Sequence, residues 1–451
     1  MVRRLACWRV MVVASSVLVL AGGARGASRP TTREGRYKME VTTQAVNQRI
    51  QKHRTAEVTL TVTDAAGKPV TGAAVTVQQV RHRFLFGCNA FAIDPNDDSE
   101  LQKAYRQRFA DLLNFATLPF YWGMYEPVEG TTVADRVQKM AQWCAGNGIR
   151  TKGHPLCWHT VVPGWLKDKS PEEVQTLQLG RITRDVKGFT GLIDTWDVVN
   201  EAVMMPDFEK GANAISQLCI KLGRVELIKQ TFAAAGTANP KATLILNDYE
   251  TSPKYEKLIA DCLEAGVKID AVGIQSHQHM GYWGPERTWD VCERFSKFGK
   301  PLNFTETTLI SGERRKDINW HGRYDDWKTT PEGEKLQAQQ VGEFYSVLFS
   351  HPAVEAVTWW DFSDRRAWLG APAGLVRADM SPKPAYEALM KLIKTDWWTP
   401  PQKLTTDAAG RVRFRGFLGR YSVQGDGGRA DFSLDKAGSA EVTVQLKSAG
   451  P

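Results

Sequence analysis

Two glutamates, Glu201 and Glu306, each directly follow a run of apolar, strand-forming residues, in Trp196-Asp-Val-Val-Asn-Glu201 and Leu302-Asn-Phe-Thr-Glu306. Two carboxyl groups facing one cleft can cleave a glycosidic bond. One protonates the leaving oxygen while the other attacks the anomeric carbon or activates a water. Carboxyl groups about 5–5.5 Å apart suit retention of configuration, and a gap of ~6.5–9.5 Å suits inversion. A single Glu at a strand end reads as a salt-bridge partner, whereas two Glu among Trp, Asn and His read as a catalytic pair. Those neighbours stand at other strand ends: His154, Trp158 and His159 in one segment, Asn200 beside Glu201, then Asn247-Asp-Tyr249, Gln275-Ser-His277-Gln-His279 and Trp359-Trp360-Asp361, with Trp368 following. The indole faces of Trp158, Trp360 and Trp368 suit the apolar faces of sugar rings. His277-x-His279 with His154 also has the spacing of a strand-end metal pair, so a metal-dependent hydrolase is an alternative. A barrel that binds carbohydrate without cleaving it is another. The two-glutamate reading requires neither metal nor cofactor.

The elements that must position these residues alternate along the chain. Candidate strands cover residues 84–91, 115–118, 150–156, 193–199, 242–247, 271–275, 301–305 and 354–359, with amphipathic stretches between them, for example 100–113, 133–145, 213–235, 256–265, 287–298, 332–349 and 384–393. Eight strands, each followed by a helix, predict an α/β fold of the (β/α)8 TIM-barrel type, whose site lies at the C-terminal strand ends. Glu201 then follows the fourth strand and Glu306 the seventh, across the barrel from one another. An open doubly wound sheet is the alternative, weakened because no G-x-G-x-x-G follows the first strand. Residues 56–80 alternate apolar and polar around an Asp-Ala-Ala-Gly turn, as a β-hairpin or part of a small sandwich would, and residues 411–424 and 440–446 alternate likewise. Each segment is too short for its own core, so the N- and C-terminal strands are expected to share one accessory β unit. The resulting division is a signal peptide over 1–26, an N-terminal β segment over 27–82, the barrel over 83–395 and a C-terminal β segment over 396–451. The junction is Trp397-Trp-Thr-Pro-Pro401.

Composition agrees with a globular enzyme: 451 residues, 42% hydrophobic and 24% charged. The net charge is +8, but four arginines lie in the first 26 residues, and without them it falls to +4, no footprint for nucleic acid. Arg3, Arg4 and Arg9 precede an apolar run over 10–20, and Ala24 and Gly26 stand at −3 and −1 of a cut before Ala27, the pattern of a secretory leader. An uncleaved anchor is the alternative. The protein is thus expected to be secreted or periplasmic, free of the membrane after cleavage, and a monomer whose partner is a β-linked polysaccharide or oligosaccharide. The six cysteines after the leader include no C-x-x-C and read mostly as buried thiols.

These motifs resemble family 10 of the glycoside hydrolases, the endo-β-1,4-xylanase family, over roughly residues 84–392. The likeness is carried by Trp196-Asp-Val-Val-Asn-Glu-Ala202, by Gly153-His-x-Leu-x-Trp-His159 with Pro163 and Trp165, by Gln275-Ser-His277 and by Ser381-Pro-Lys-Pro-Ala-Tyr386. The resemblance implies that Glu201 is the acid/base and Glu306 the nucleophile, that Asn200 contacts the 2-hydroxyl, and that His277 holds Glu306 with Gln275 beside it. It also implies that His154, Trp158, Trp360 and Trp368 line the glycone side and Tyr249 the aglycone side. The chain departs from the family pattern in three places. Leu118-Pro-Phe-Tyr-Trp122 stands for the usual E-N-x-x-K-W, Val161 for a Gln, and Thr307-Thr308 for Leu-Asp after the nucleophile. Phe120 and Tyr121 are therefore expected to wall the glycone site in place of polar contacts. With Arg314, Arg315, Lys316, Arg365 and Arg366 near the same mouth, they motivate a preference for a decorated, acidic glycan, although those charges also read as solvated loop charge.

Overall fold

The computed structural model describes residues 41–447, so the leader expected over 1–26 lies outside them. Two strands of the N-terminal segment, β1 (Thr55–Thr63) and β2 (Ala74–His82), lead into eight parallel strands. These are β3 (Leu85–Asn89), β4 (Phe115–Pro119), β5 (Arg150–His154), β6 (Thr195–Asn200), β7 (Thr243–Asp248), β8 (Ala271–His277), β9 (Leu302–Thr308) and β10 (Val354–Trp359). They close into a barrel in chain order, β10 pairing back onto β3. The strands are buried along nearly their whole length, as a sheet covered by helices requires. Gly153 exists for a packing reason: a Cβ there would lie 2.1 Å from the ring of Trp196 on the adjoining strand. The eight-stranded barrel expected from the alternation is thus the fold.

Two helices differ from expectation. The stretch 213–235 is two helices, Ala214–Leu222 and Arg224–Ala238, because Gly223 between them takes φ +81°, a left-handed conformation that ends a helix. The N-terminal segment, read as β, opens with a helix, Thr43–Arg54. It is capped by Thr42 and carries Lys52, His53 and Arg54 in its last turn. Only two of its apolar residues, Val46 and Ile50, join the barrel core, too few to announce a helix in the sequence. Its anchor is polar. Buried Arg54 donates to the carbonyls of Phe349, His351 and Val354, satisfying the end of helix Pro331–Ser350 and the start of β10.

After the barrel come β11 (Gln402–Thr405), β12 (Arg411–Phe417), β13 (Gly419–Gly425), β14 (Gly428–Leu434) and β15 (Gly438–Gln445). These combine with β1 and β2 as a sandwich of two sheets, β12-β1-β15 and β11-β2-β13-β14. β1 and β2 are therefore not a hairpin but lie in opposite sheets. Val58, Leu60 and Val62 meet Val75 and Val77 in a core completed by Val412, Phe414, Tyr421 and Val423. The junction is pinned by polar bonds: the Tyr421 hydroxyl donates to Phe417 O at 2.6 Å and lies 2.7 Å from Thr399 Oγ1, and Thr399 N donates to Gln79 Oε1 at 2.8 Å. Trp397 stacks on Phe349 with ring centroids 4.4 Å apart.

Both neighbours of β1 come from the C-terminal end of the chain. Deleting residues 405–451 is expected to strip β12 and β15 from β1 and bare Val58, Leu60 and Val62. At roughly 1.5–3 kcal/mol for each buried side chain, this approaches the 5–15 kcal/mol, roughly, that holds a whole domain. The shortened chain should unfold at a much lower temperature; an unchanged Tm would show that the sandwich strands are an independent module.

Candidate active site

The strand-end motifs fall at the C-terminal ends of β5 to β10, with Trp359 turned into the core. Glu201 immediately follows β6 with φ +56°, a left-handed conformation that costs a non-glycine residue energy and is held by its N–H donating to Asn247 O at 2.8 Å. Its carboxylate accepts from Trp158 Nε1 at 2.9 Å on one oxygen, and from Gln275 Nε2 at 3.0 Å and Asn200 Nδ2 at 3.2 Å on the other. Glu306, within β9, accepts from Asn247 Nδ2 at 2.8 Å and from His277 Nε2 at 3.1 Å; His154 Nε2 lies 3.8 Å away. His277 is fixed on its other side by the Thr308 hydroxyl, 2.9 Å from Nδ1.

Three amides tie the two carboxylates together. Asn200 Oδ1 accepts from Asn247 Nδ2 at 2.7 Å and Gln275 Nε2 at 3.1 Å, while the same two amides reach Glu306 and Glu201 respectively. Gln275 thus bonds to Glu201, where the resemblance had set it beside His277 and Glu306. Asn247, which stands at a strand end in the sequence with no role assigned to it, is the contact that reaches both sides. It is further held by Thr305 Oγ1, 2.5 Å from its Oδ1. Its signal was an amide directly after the apolar run Leu244-Ile-Leu246, and the structure buries it fully.

Behind Glu306 runs a second unforeseen element. Asp197 Oδ2 lies 2.5 Å from Lys152 Nζ and 2.7 Å from His154 Nδ1, and all three side chains are buried. Burial would raise Asp197, but the Lys152 charge and the His154 hydrogen bond hold its carboxyl below the usual range. An ionised carboxylate only accepts, so His154 Nδ1 carries a proton toward it.

The two glutamates consequently ionise differently. Burial pushes Glu201 up, and the charge of Glu306 adds to it against the hydrogen bonds from Gln275 and Trp158. Glu306 feels the same upward push from burial, but the charge of His154, the hydrogen bond and charge of His277 and the charge of Lys152 outweigh it and bring the carboxyl below its ordinary value. One protonated acid beside one ionised carboxylate is the state that two-carboxyl bond cleavage needs.

The remaining residues line the mouth. Trp360 packs against His154 and His277 with centroids 5.3 and 5.8 Å away, and Trp368 against His277 at 4.8 Å. Tyr249, 42% exposed, stands at the rim within reach of the Glu201 charge. Phe120 does not wall the site: it is fully buried against Tyr125, Phe189 and Trp196, and only Tyr121 turns to the mouth, against His154 and Trp158. Buried Arg181 sets the loops that carry Tyr121 and Trp158 by donating to the carbonyls of Phe120 and Leu156. Arg315 pairs with Asp326 and lies over Tyr324 and Trp327, so its charge is engaged within its own loop. His279 is buried among Trp320, Trp327 and Trp368, and burial lowers its pKa strongly. Among the described residues no three His, Cys, Asp or Glu side chains are grouped as a metal ion requires. The six cysteines among them are buried and unbridged.

Comparison with known proteins agrees with this geometry. The model of glycosyl hydrolase family 10 matches residues 80–392. The anti-sigma-I factor RsgI6 of Acetivibrio thermocellus is 27% identical over 84% of this chain and 46% of its own length. An endo-1,4-beta-xylanase/feruloyl esterase of Xylanibacter ruminicola is 26% identical over 69% of this chain and 46% of its own. The chain thus spans about half the length of these two relatives. Endo-1,4-beta-xylanase B of Thermotoga neapolitana is 28% identical over 60% of this chain and 78% of its own length. Among solved structures, native xylanase 10B of Thermotoga maritima superposes with a TM-score of 0.57 at 25% identity, covering 70% of this chain and 96% of that one. With the family model spanning well over half of its length, the chain belongs to glycosyl hydrolase family 10.

Proposed function

We propose that this protein is an exported, retaining glycoside hydrolase acting on xylan or a closely related β-linked glycan, with Glu201 as acid/base and Glu306 as nucleophile. The observation that carries the reading is the pair of amide-bridged carboxyls at one barrel mouth, with two histidines against Glu306 and an indole and two amides against Glu201. Family membership and the xylanases among the relatives support the substrate class. The leader pattern in residues 1–26 supports export.

In the first step Glu201 gives its proton to the glycosidic oxygen as a Glu306 oxygen attacks the anomeric carbon. The carbon–oxygen bond to the leaving group breaks and a glycosyl ester forms. Glu201, now ionised, takes a proton from water, the water oxygen attacks the same carbon, and Glu306 is released. Asn200 is proposed to contact the 2-hydroxyl. Gln275 and Trp158 hold Glu201 in place, and His277 holds Glu306. Trp360 and Trp368 give the sugar apolar faces, and Tyr249 meets the leaving portion.

Glu306→Ala is expected to abolish turnover of xylo-oligosaccharides. Glu201→Ala should lose about 10²–10⁴-fold on them yet keep a fast first step on 4-nitrophenyl glycosides, whose leaving group needs no proton. Early product of inverted anomeric configuration, seen by NMR, would refute the scheme, and tight binding without turnover in the parent protein would leave only a carbohydrate-binding barrel. N-terminal sequencing of exported protein should find Ala27 first, and an intact Met1 would contradict cleavage.

The pH profile follows from the two shifts. Glu306 works ionised, so its lowered pKa carries activity into more acid solution; Glu201 works protonated, so its raised pKa sets the alkaline limit. His154 is the strongest of the influences lowering Glu306 and the weakest of those acting on Glu201. His154→Gln should therefore move the acid limb of kcat/KM to higher pH by more than it moves the alkaline limb. A profile that keeps its acid limb would show that His154 does not set the charge of Glu306.

A further inference from the structure

If Glu306 attacks the anomeric carbon and Glu201 protonates the leaving oxygen, the sugar left on the enzyme lies over Glu306, against the side chains that touch it. His154 and His277 are the ring-bearing partners of Glu306, and both are backed by Trp360. From Trp360 a wall of rings continues without a gap. Trp360 meets Phe91 at 5.5 Å, Phe91 meets Tyr121 at 5.6 Å, and Tyr121 meets Trp158 at 5.4 Å. Trp158 in turn donates to Glu201. These centroid separations are those of rings in van der Waals contact. The wall therefore runs from the partners of one carboxylate to the partner of the other, past the ends of β10, β3, β4 and β5.

The circuit closes on the other side. The loop after β9 stacks Trp320 on Trp368 at 5.6 Å, and its next residue, His321, reaches Phe208 at 6.1 Å. Phe208, from the loop after β6, packs on His159 at 4.4 Å, the residue adjoining Trp158. A cleft that holds a polysaccharide across its middle must be open at both ends. Beyond Glu306, Phe91 meets both Trp360 and Tyr121 edge to face, so that end of the cleft is walled by rings. On that side Thr117, Leu118 and Phe120 of the β4 segment are buried in the barrel, and Tyr121 is the side chain of that segment that turns to the mouth. Exposed side chains stand beyond the Glu201 side, where Met204 and Tyr249 are 40% and 42% exposed.

Resting on the reading of this site as a retaining glycosidase, we propose that the aromatic enclosure admits a single terminal sugar, so that the enzyme works from the non-reducing end of β-linked oligosaccharides instead of cutting chains internally. Phe91 and Tyr121 are then the residues that set the length of the glycone.

The test compares kcat/KM for 4-nitrophenyl β-xyloside and 4-nitrophenyl β-xylobioside, together with the first products from xylohexaose. The enclosure predicts that the two aryl glycosides differ by less than about 10-fold, and that xylose and xylopentaose appear first. A preference for the xylobioside beyond about 10-fold, or xylobiose to xylotetraose as first products, would overturn the proposal while leaving the glycosidase reading intact. No turnover of any of these substrates would overturn both. Tyr121→Ala and Phe91→Ala, made separately, should each shift the ratio toward the xylobioside. A ratio unmoved in both, in folded proteins that still turn over the xyloside, would show that these rings do not limit the glycone.

Discussion

Lys152 has no access to water, and a buried ammonium costs several kcal/mol unless it is paired at close range. Its partner is Asp197, one strand away, at 2.5 Å. Much of the site's electrostatics follows from that pair. Asp197 stays ionised because Lys152 is there, and an ionised Asp197 can hold His154 only by accepting its Nδ1 proton, which aims Nε2 at Glu306. Positive charge is thereby concentrated on one side of the mouth. Glu306 feels it more strongly than Glu201, so the two carboxyls are driven in opposite directions. Lys152, Asp197, His154 and Glu306 come from β5, β6, β5 and β9, and the closed barrel is what brings those strand ends to one place.

The amides complete what the charges begin. Asn200, Asn247 and Gln275 share their donors between each other and the two carboxylates, so that neither glutamate can turn without breaking a buried bond. The left-handed backbone at Glu201 is strain stored at the site, offset by its hydrogen bond to β7. The barrel supplies positions, the amide cluster supplies orientation, and His154, held through Asp197 by the buried lysine, supplies most of the difference in charge.

Much of this was legible in the residues. The eight-fold alternation of strand and helix, the two glutamates at opposed strand ends and the polar and aromatic residues around them are all read from local pattern, because each is a property of a contiguous segment. What escaped the pattern depends on contacts between distant segments. Helix Thr43–Arg54 has only two core apolar residues and is held by Arg54 to carbonyls some three hundred residues away. β1 and β2 look like a hairpin until β12, β13 and β15 compete for their edges. Phe120 and Tyr121 are adjacent and similar, and only the alternation at the end of β4 decides that one enters the core and the other the mouth. Lys152 reads as an ordinary basic residue in a strand; its meaning appears only when Asp197 is seen beside it.

The central claim is that the chain Lys152–Asp197–His154 behind Glu306 makes the two glutamates unequal. The most direct measurement is a carbon-13 NMR titration of the glutamate carboxyls in the parent protein and in Lys152→Met, with Glu201→Gln and Glu306→Gln used to assign the two resonances. The account predicts that in the parent Glu306 titrates below an ordinary glutamate and Glu201 above it, and that in Lys152→Met the Glu306 resonance moves to higher pH and the gap narrows. Two glutamates titrating together in the parent, or a gap untouched by the loss of Lys152 in a folded protein, would contradict it.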